Sequence, residues 1–536
     1  MTSECRDSQA CSQSGSAGLP CSRCGLGSSG TSYLAIIVVM ASLLGGSSAR
    51  AETKAEVLDL GSRRELFVDS HLIDKLDRVQ LRLHEPRDEG AVMMFDEPWE
   101  GIHCGYCTVL EDTTLEDKAA PGGKRFRVYY RGMPADVKDG TNGEVTCMAE
   151  SSDGVHWTKP KLGLYEARGG KENNVVYAGD APLSHNFSPL IDTRPDCPAA
   201  ERYKALAGLD TSGLVAFVSA DGLRWRKLQA EPVIPRSASF KFEWMFDSQN
   251  VAFWSESEQK YVAYYRVYDG VRRIARSESP DFVHWSEPVL MAQVTGGKPS
   301  PTEELYTNQT HPYFRAPQIY VAVAARFVPD RQAISDEEAA ALQVASGYHK
   351  DLSDAVLMTT RGGTVYDRTF LSSFIRPGIG AQNWVSRTNY PALGIIQTSP
   401  TEMSIYTNAD NAQPTAHLHR YSLRLDGFAS LEADYDGGEL VTKPLRFTGN
   451  RLDLNFSTSA VGSIRVEIQD EHGQPLPGFA AADCVEVIGN EVDRTVRWKA
   501  DGGTETSDVS GLAGKPVRLR LVLKDADLFA LRFAAE

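Results

Sequence analysis

The chain has 536 residues and a formal charge of −15, with 42% hydrophobic and 24% charged residues and frequent glycine and proline. This is the profile of a turn-rich folded protein, not of a disordered or membrane-embedded chain. No basic stripe is present to neutralise phosphates, which argues against nucleic acid as a partner.

Tyr33–Gly46 is an apolar run of signal-peptide length, too short to span a bilayer comfortably, and Ala49-Arg50-Ala51 follows it. Residues 1–51 are therefore expected to be a signal peptide cleaved after Ala51. The mature chain would be exported, periplasmic or extracellular, with no membrane span. It would keep five cysteines, Cys104, Cys107, Cys147, Cys197 and Cys484, an odd number that leaves at least one unpaired within the chain. Cys104 and Cys107, three apart on a strand, are expected to face opposite sides. No metal motif or cofactor fingerprint is visible.

Residues 57–90 hold two short strand-like runs, Glu65–Val68 and Val79–Leu83. Beyond them one phrase recurs: SSDGVHW at Ser151–Trp157, SADGLRW at Ser219–Trp225 and SPDFVHW at Ser279–Trp285. The copies begin 68 and 60 residues apart, a spacing that suits a four-stranded unit with some extra loop. Asp153, Asp221 and Asp281 suit tight turns, and the tryptophans suit packing between units. The expected fold is all-β: a five-bladed β-propeller over residues 91–433, closed by the segment 57–90, then a C-terminal antiparallel β-sandwich over 437–536, where apolar residues alternate at period two. Ser335–Gly347 interrupts the pattern as a short helix, with Ser335 as N-cap, Glu338 three residues later and Gly347 as its stop. It would lie between the second and third strands of the fourth blade, on the rim of the funnel.

In a propeller the residues just before each innermost strand surround one funnel. Here they are Asp96–His103, Ser184–Phe187, Phe246–Asn250, Glu303–Asn308 and Asn383–Asn389, all rich in acids, amides, histidine or rings. Glu97, Glu100, Asp247 and Glu303 are the candidate catalytic acids, with Glu304 beside them. Trp99 and Trp384 could stack on sugar faces. His103, His185, Asn186, Asn250, Asn308 and Arg387 could hydrogen-bond sugar hydroxyls or a substrate carboxylate. Glycosidic cleavage needs one carboxylic acid to protonate the leaving oxygen and a second carboxylate as nucleophile or base.

On the phrase Ser279–Pro288 and the dipeptide Glu97-Pro98, the chain resembles the five-bladed propeller glycoside hydrolases of the invertase/levanase-like and arabinanase/xylosidase-like families, and uncharacterised secreted bacterial propeller proteins. The resemblance implies Glu97 as base or nucleophile, Asp247 as transition-state stabiliser and Glu303 as general acid, with Glu100 as a substitute. It implies a carbohydrate substrate. Two other readings stay open: a non-catalytic carbohydrate-binding propeller, with rings and amides in the funnel and its acids splayed into solvent, and a phosphorylase, with basic residues such as Arg326 and Arg387 gathered near the acids.

Overall fold

The computed structural model describes residues 57–112, 123, 125–236, 242–499 and 503–535; the expected signal peptide lies outside them. Five largely antiparallel sheets succeed one another. The first blade is Gly105–Glu111, Phe126–Gly132, Val145–Ser151 and Val175–Ala178, and the second is Ser188–Ile191, Tyr203–Ala207, Val215–Ser219 and Arg226–Lys227. The third is Val251–Ser255, Lys260–Tyr268, Arg272–Ser279 and Val289–Leu290. In the fourth, His311–Tyr313, Ala316–Val328 and Leu352–Thr360 precede the outer strands Val365–Asp367 and Ser373–Ile375. The fifth has Ile396–Gln397, Glu402–Ala409 and His417–Arg424, and its outer strand is Arg87–Met94 from the start of the described chain. The innermost strands of the first four blades lie side by side, and the fifth returns to the first through Val109, whose N–H donates to the Leu393 carbonyl at 2.7 Å. The molecule is a β-propeller.

The closing strand, Arg87–Met94, straddles the end of the segment expected to supply it. The runs at Glu65–Val68 and Val79–Leu83 instead contribute Arg64–Leu66 and Gln80–Leu83 to the C-terminal strands, and Ala429–Ala433 joins them there. That second body is organised on two long strands, Arg451–Gln469 and Arg518–Ala534, which pair along most of their length. Leu452, Leu454, Phe456, Val466, Ile468, Leu519, Leu521 and Leu523 alternate along them into one core.

Blades are held together by a repeated buried latch. Tyr203, Tyr261 and Tyr320, each on a second strand, donate their hydroxyls to Asp112, Asp192 and Glu258 of the preceding blade at 2.7, 2.6 and 2.8 Å. Each acid also meets a cation, Arg127 at 3.4 Å, Lys204 at 2.9 Å and Arg276 at 2.6 Å. A buried carboxylate is tolerable only when paired and hydrogen-bonded in this way.

The recurring phrase forms the turn after each third strand. In the second blade, Asp221 Oδ1 accepts from the N–H groups of Leu223 and Arg224 at 2.8 Å, while Ser219 Oγ accepts from Gly222 N–H. Asp153 and Asp281 repeat the pattern. Gly222 adopts φ +70° with no room for a side chain: a Cβ would stand 2.6 Å from the Tyr129 hydroxyl of the first blade. Trp225 meets Tyr129, and Trp157 meets Tyr406 of the fifth blade, both edge-on, so these turns knit neighbouring blades.

Two local expectations are corrected. Cys104 and Cys107 pack into the same apolar cluster, along with Cys147. Tyr106 between them takes φ +51°, and the strand register shifts between Gly105 and Thr108, so strict alternation fails there. The inserted helix runs Asp336–Ala341 with the Ser335/Glu338 capping box in place, but it ends well before Gly347, and Gln343 takes the left-handed position (φ +55°).

Candidate functional site

One pocket of about 100 Å³ opens at the funnel face, lined by His103, Tyr106, Arg131, Asp139, His185, Asp247, Tyr306, Tyr348, Arg387, Tyr390, Asn408 and Asn411. All of them come from three structural positions: the approach to or start of a blade's first strands, the end of a second strand, or the loop joining second to third strands. The helical insert contributes Tyr348, whose ring lies 5.0 Å from that of His103 and whose hydroxyl accepts from Arg387 Nη1 at 3.1 Å.

The backbone carrying Asp247 is pinned from several sides. Phe246 is held at φ +67°, a conformation costly for an aromatic residue. Asn186 Nδ2 donates to the Phe246, Ser248 and Gly208 carbonyls at 2.8 Å, and Asn250 Nδ2 donates to Phe246 and Ser248. Ser248 Oγ ties the same segment to the Tyr306 carbonyl. The Nδ2 groups of Asn186 and Asn250 are thus engaged with backbone. They position Asp247 and do not face the pocket.

His185 Nδ1 lies 2.9 Å from Oε1 of buried Glu144. A carboxylate only accepts, so Nδ1 carries a proton toward Glu144, and Nε2 faces Asp247, 3.9 Å from its Oδ1, with Arg131 Nη1 3.4 Å away. Arg131 Nη1 stands 3.2 Å from His185 Nδ1 and 3.8 Å from a carboxylate oxygen of both Asp139 and Glu144. Donor atoms of Asp139, Glu144 and His185 lie within 4.8 Å of one another, a grouping able in principle to ligate a metal ion. The Arg131 guanidinium already brings a positive charge to it.

Arg266 is ion-paired to Asp247, and its guanidinium lies 4.2 Å from the centre of the Tyr306 ring. Arg387 lies 5.5 Å from the same ring. Burial opposes ionisation of Tyr306, but the Arg387 and Arg266 charges outweigh it and hold the phenol below its usual value. Burial, with Arg131 and Arg387 nearby, pushes His103 down to about 4, so its ring is neutral at pH 7. Beside the pocket a second cleft, lined by Trp244, Met245, Arg266, Tyr268 and Arg272, shares Asp247 with it, and Trp244 is 57% exposed there.

Of the residues singled out in the sequence, His103, His185, Asp247 and Arg387 line this pocket, and the rest stand elsewhere. Glu100 is sealed in the first blade, accepting from the Tyr130 hydroxyl and from Lys159 Nζ; burial raises its carboxyl above the usual range despite Lys159. Glu97 donates its backbone N–H to Glu100 Oε2, and Trp99, also buried, donates Nε1–H to Asn174. Glu303 bridges Arg326 and Arg368; although burial opposes it, these cations hold its carboxyl low, so at neutral pH it has no proton to give. Glu304 pairs with Arg272. Asn308 closes a turn by accepting from Thr310 N–H, and Trp384, which ends the short segment Ala381–Trp384, is exposed and is not among the pocket's lining residues. Arg131, Glu144, Arg266, Tyr306 and Trp244 escaped notice in the sequence. The available signal was position: Arg131 and Arg266 close second strands, at the rim to which the preceding loops also lead.

No family model matches the sequence, and no curated protein matches it. Several solved structures resemble it at low identity. An N-acetylgalactosamine deacetylase from F. plautii, solved with blood group B trisaccharide, is 12% identical, covering 65% of this chain and 96% of that one, with a TM-score of 0.39. A glycoside hydrolase family 43 arabinoxylan arabinofuranohydrolase from Bacillus subtilis is 12% identical, over 82% of this chain and 97% of that one, TM-score 0.34. A fructofuranosidase from Schwanniomyces occidentalis is 10% identical, over 90% and 100%, TM-score 0.33. Among the described residues no helix is long and apolar enough to cross a membrane.

Proposed function

We propose that this propeller is a glycoside hydrolase that binds the end of a saccharide chain in the funnel pocket and cleaves the bond lying over Asp247. The observation that carries this is the place of Asp247. It lines both the pocket and the Trp244 cleft, and it faces the Nε2 edge of a histidine whose other nitrogen is fixed by Glu144. A sugar on each side of that carboxylate sets the scissile oxygen between two proton-handling groups.

Asp247, ion-paired to Arg266, serves as nucleophile or as base for water, and His185, carrying protons on both ring nitrogens in the reacting state, gives the Nε2 proton to the leaving oxygen. Glu144 accepts from Nδ1–H and so positions the imidazole. Tyr106, Tyr306, Tyr348 and Tyr390 supply ring faces, and Asn408 and Asn411 supply amides, for recognition of the sugar. Glu97, Glu100 and Glu303, the acids implied by resemblance, take no part in this scheme.

A second reading rests on the same walls. Rings and amides dominate the pocket, and the side chains of Asp247 and Asp139 are 55% and 62% exposed, as in a silent sugar binder. Release assays on a panel of plant and algal polysaccharides separate the two. Wild-type protein is expected to liberate sugar, with His185→Gln and Asp247→Asn each lowering kcat by about 10²–10⁴-fold, while Glu303→Gln stays active. Polysaccharide binding without release by wild type selects the binder, and release that survives both changes discards this catalytic pair.

A further inference from the structure

The charges of the pocket do not cancel evenly. Asp247 is taken by Arg266, and Asp139 and Glu144 flank Arg131. Arg387 is left over. Its guanidinium makes one hydrogen bond, to the Tyr348 hydroxyl, and among the described residues no carboxylate lies within 4 Å of it. Its Nε is buried without a hydrogen-bond partner, and its neighbours are the rings of Tyr306 and Tyr348, 5.5 and 5.0 Å from ring centre to guanidinium carbon. Its backbone is also held at φ +63°, a conformation an arginine adopts only under constraint from its surroundings. Arg387 is half-buried, whereas the fully buried arginines of the propeller, Arg127, Arg266, Arg276, Arg368 and Arg420, each have an acid beside them. A guanidinium withdrawn from water without a counter-charge is costly, and a planar oxyanion is the partner its geometry fits best.

We propose that the funnel pocket recognises an oxyanion through Arg387, with Arg131 and Arg266 on either side, so that its ligand is an anionic saccharide end or a sugar bound together with a free anion. The chain carries a net charge of −15, which disfavours a densely charged polymer at the surface. A single anionic group seated against Arg387, the pocket guanidinium with no carboxylate beside it among the described residues, is not subject to that objection to the same degree. Two sources present this chemistry: a carboxylate or sulfate ester on the terminal sugar, as in a uronic acid, or inorganic phosphate acting as the acceptor of the cleaved glycosyl group. In the second case phosphate oxygen replaces water: its bond to the anomeric carbon forms as the glycosidic C–O bond breaks, and the leaving oxygen takes the proton. The inference rests on the pocket proposed above as the saccharide site, but it concerns binding, so it can fail while the glycosidase reading stands.

The test is calorimetric titration of the full chain with glucuronate, galacturonate, galactose 6-sulfate, inorganic phosphate, and neutral glucose and galactose as matched controls. At least one anion is expected to bind ten-fold or more tightly than its neutral counterpart. That preference should weaken as salt rises and fall at least ten-fold in Arg387→Gln, with partial recovery in Arg387→Lys. Binding of sugar acids or the sulfated sugar alone assigns the charge to the substrate; binding of phosphate alone assigns it to a co-substrate. Equal affinity for neutral and anionic sugars in wild type, or no binding of any anion, overturns the proposal whether or not the variants fold. Release of neutral sugar in water by a protein that ignores all the anions would overturn it while leaving the hydrolase intact.

Discussion

The two faces of the propeller use aspartate for opposite purposes. On the far face, Asp153, Asp221 and Asp281 occupy one position in one phrase and are saturated by the turns they build. Burial opposes their ionisation, yet hydrogen bonds from the turn backbone and from the neighbouring His156, Arg224 and His284 side chains hold all three below the usual carboxylate range. On the funnel face, Asp247 is one of a kind. Its backbone is pinned by Asn186 and Asn250, and its carboxylate, paired with Arg266, faces a histidine and open space. Repetition marks the residues that make the ring, and the departure from repetition marks those that use it.

The largest effects test whether this division holds. Glu144→Gln keeps the shape of the buried side chain but removes the charge that fixes His185. If His185 handles the proton, kcat is expected to fall by about 10–10²-fold, with the pH–rate profile displaced and KM little changed. A loss of stability with an unshifted profile would make Glu144 a structural counter-ion of Arg131 only. On the far face, Asp221→Ala removes an acceptor of two backbone N–H groups. Urea denaturation should show a loss of about 1–2 kcal/mol, with the activity of the remaining folded protein unaltered. Lost activity at full occupancy of the fold would break the contrast between the faces.

Smaller still is the role of Trp244, which touches only the second cleft. Trp244→Ala is expected to raise KM on oligosaccharides about three- to ten-fold, in line with loss of roughly 1 kcal/mol of ring contact, and to leave hydrolysis of a substrate with a small leaving group unchanged. Equal effects on both substrates would place Trp244 outside the saccharide path.

The ring was legible because its chemistry repeats. Three copies of a Ser–Asp–Trp phrase report three equivalent turns, and the strand runs between them, such as Tyr261–Tyr265, are unbroken apolar stretches buried on both faces. The site was legible only as a face. Topology directs attention to the right loops, and His103, His185, Asp247 and Arg387 follow from that alone. It cannot say which way a carboxylate in such a loop turns. Glu303 stands one residue before a strand and is drawn back onto Arg326 and Arg368, whereas Asp247 stands beside a left-handed residue that swings it to the pocket. Asn186 and Asn250 look like sugar ligands in the sequence because backbone-binding and sugar-binding amides are the same side chain. Arg131 and Arg266 lie inside strand runs, where an arginine reads as a solvated edge until the blade is placed beside its neighbours.

The last prediction joins the two proposals. His103 is pushed down to about 4 by burial and by the Arg131 and Arg387 charges, against about 6.5 in an unfolded chain. Between those values the unfolded chain binds a proton that the folded one refuses. Stability therefore falls as pH drops from about 6.5 toward 4 and, as far as this group is concerned, levels off below. In His103→Gln that part of the acid loss disappears, so the difference in Tm between pH 7 and pH 4.5 should shrink relative to wild type. Burial also lowers His71, His84, His311 and His419, so only the difference between the two proteins reports on His103. An anion seated against Arg387 adds a negative charge close to the imidazole and cancels part of what depresses it. The wild-type acid loss should then flatten in the presence of whichever oxyanion binds, and the variant should be indifferent to it. An anion that binds without altering the wild-type pH dependence must sit away from Arg387, because His103 packs, tilted, against the same Tyr348 ring that the guanidinium touches.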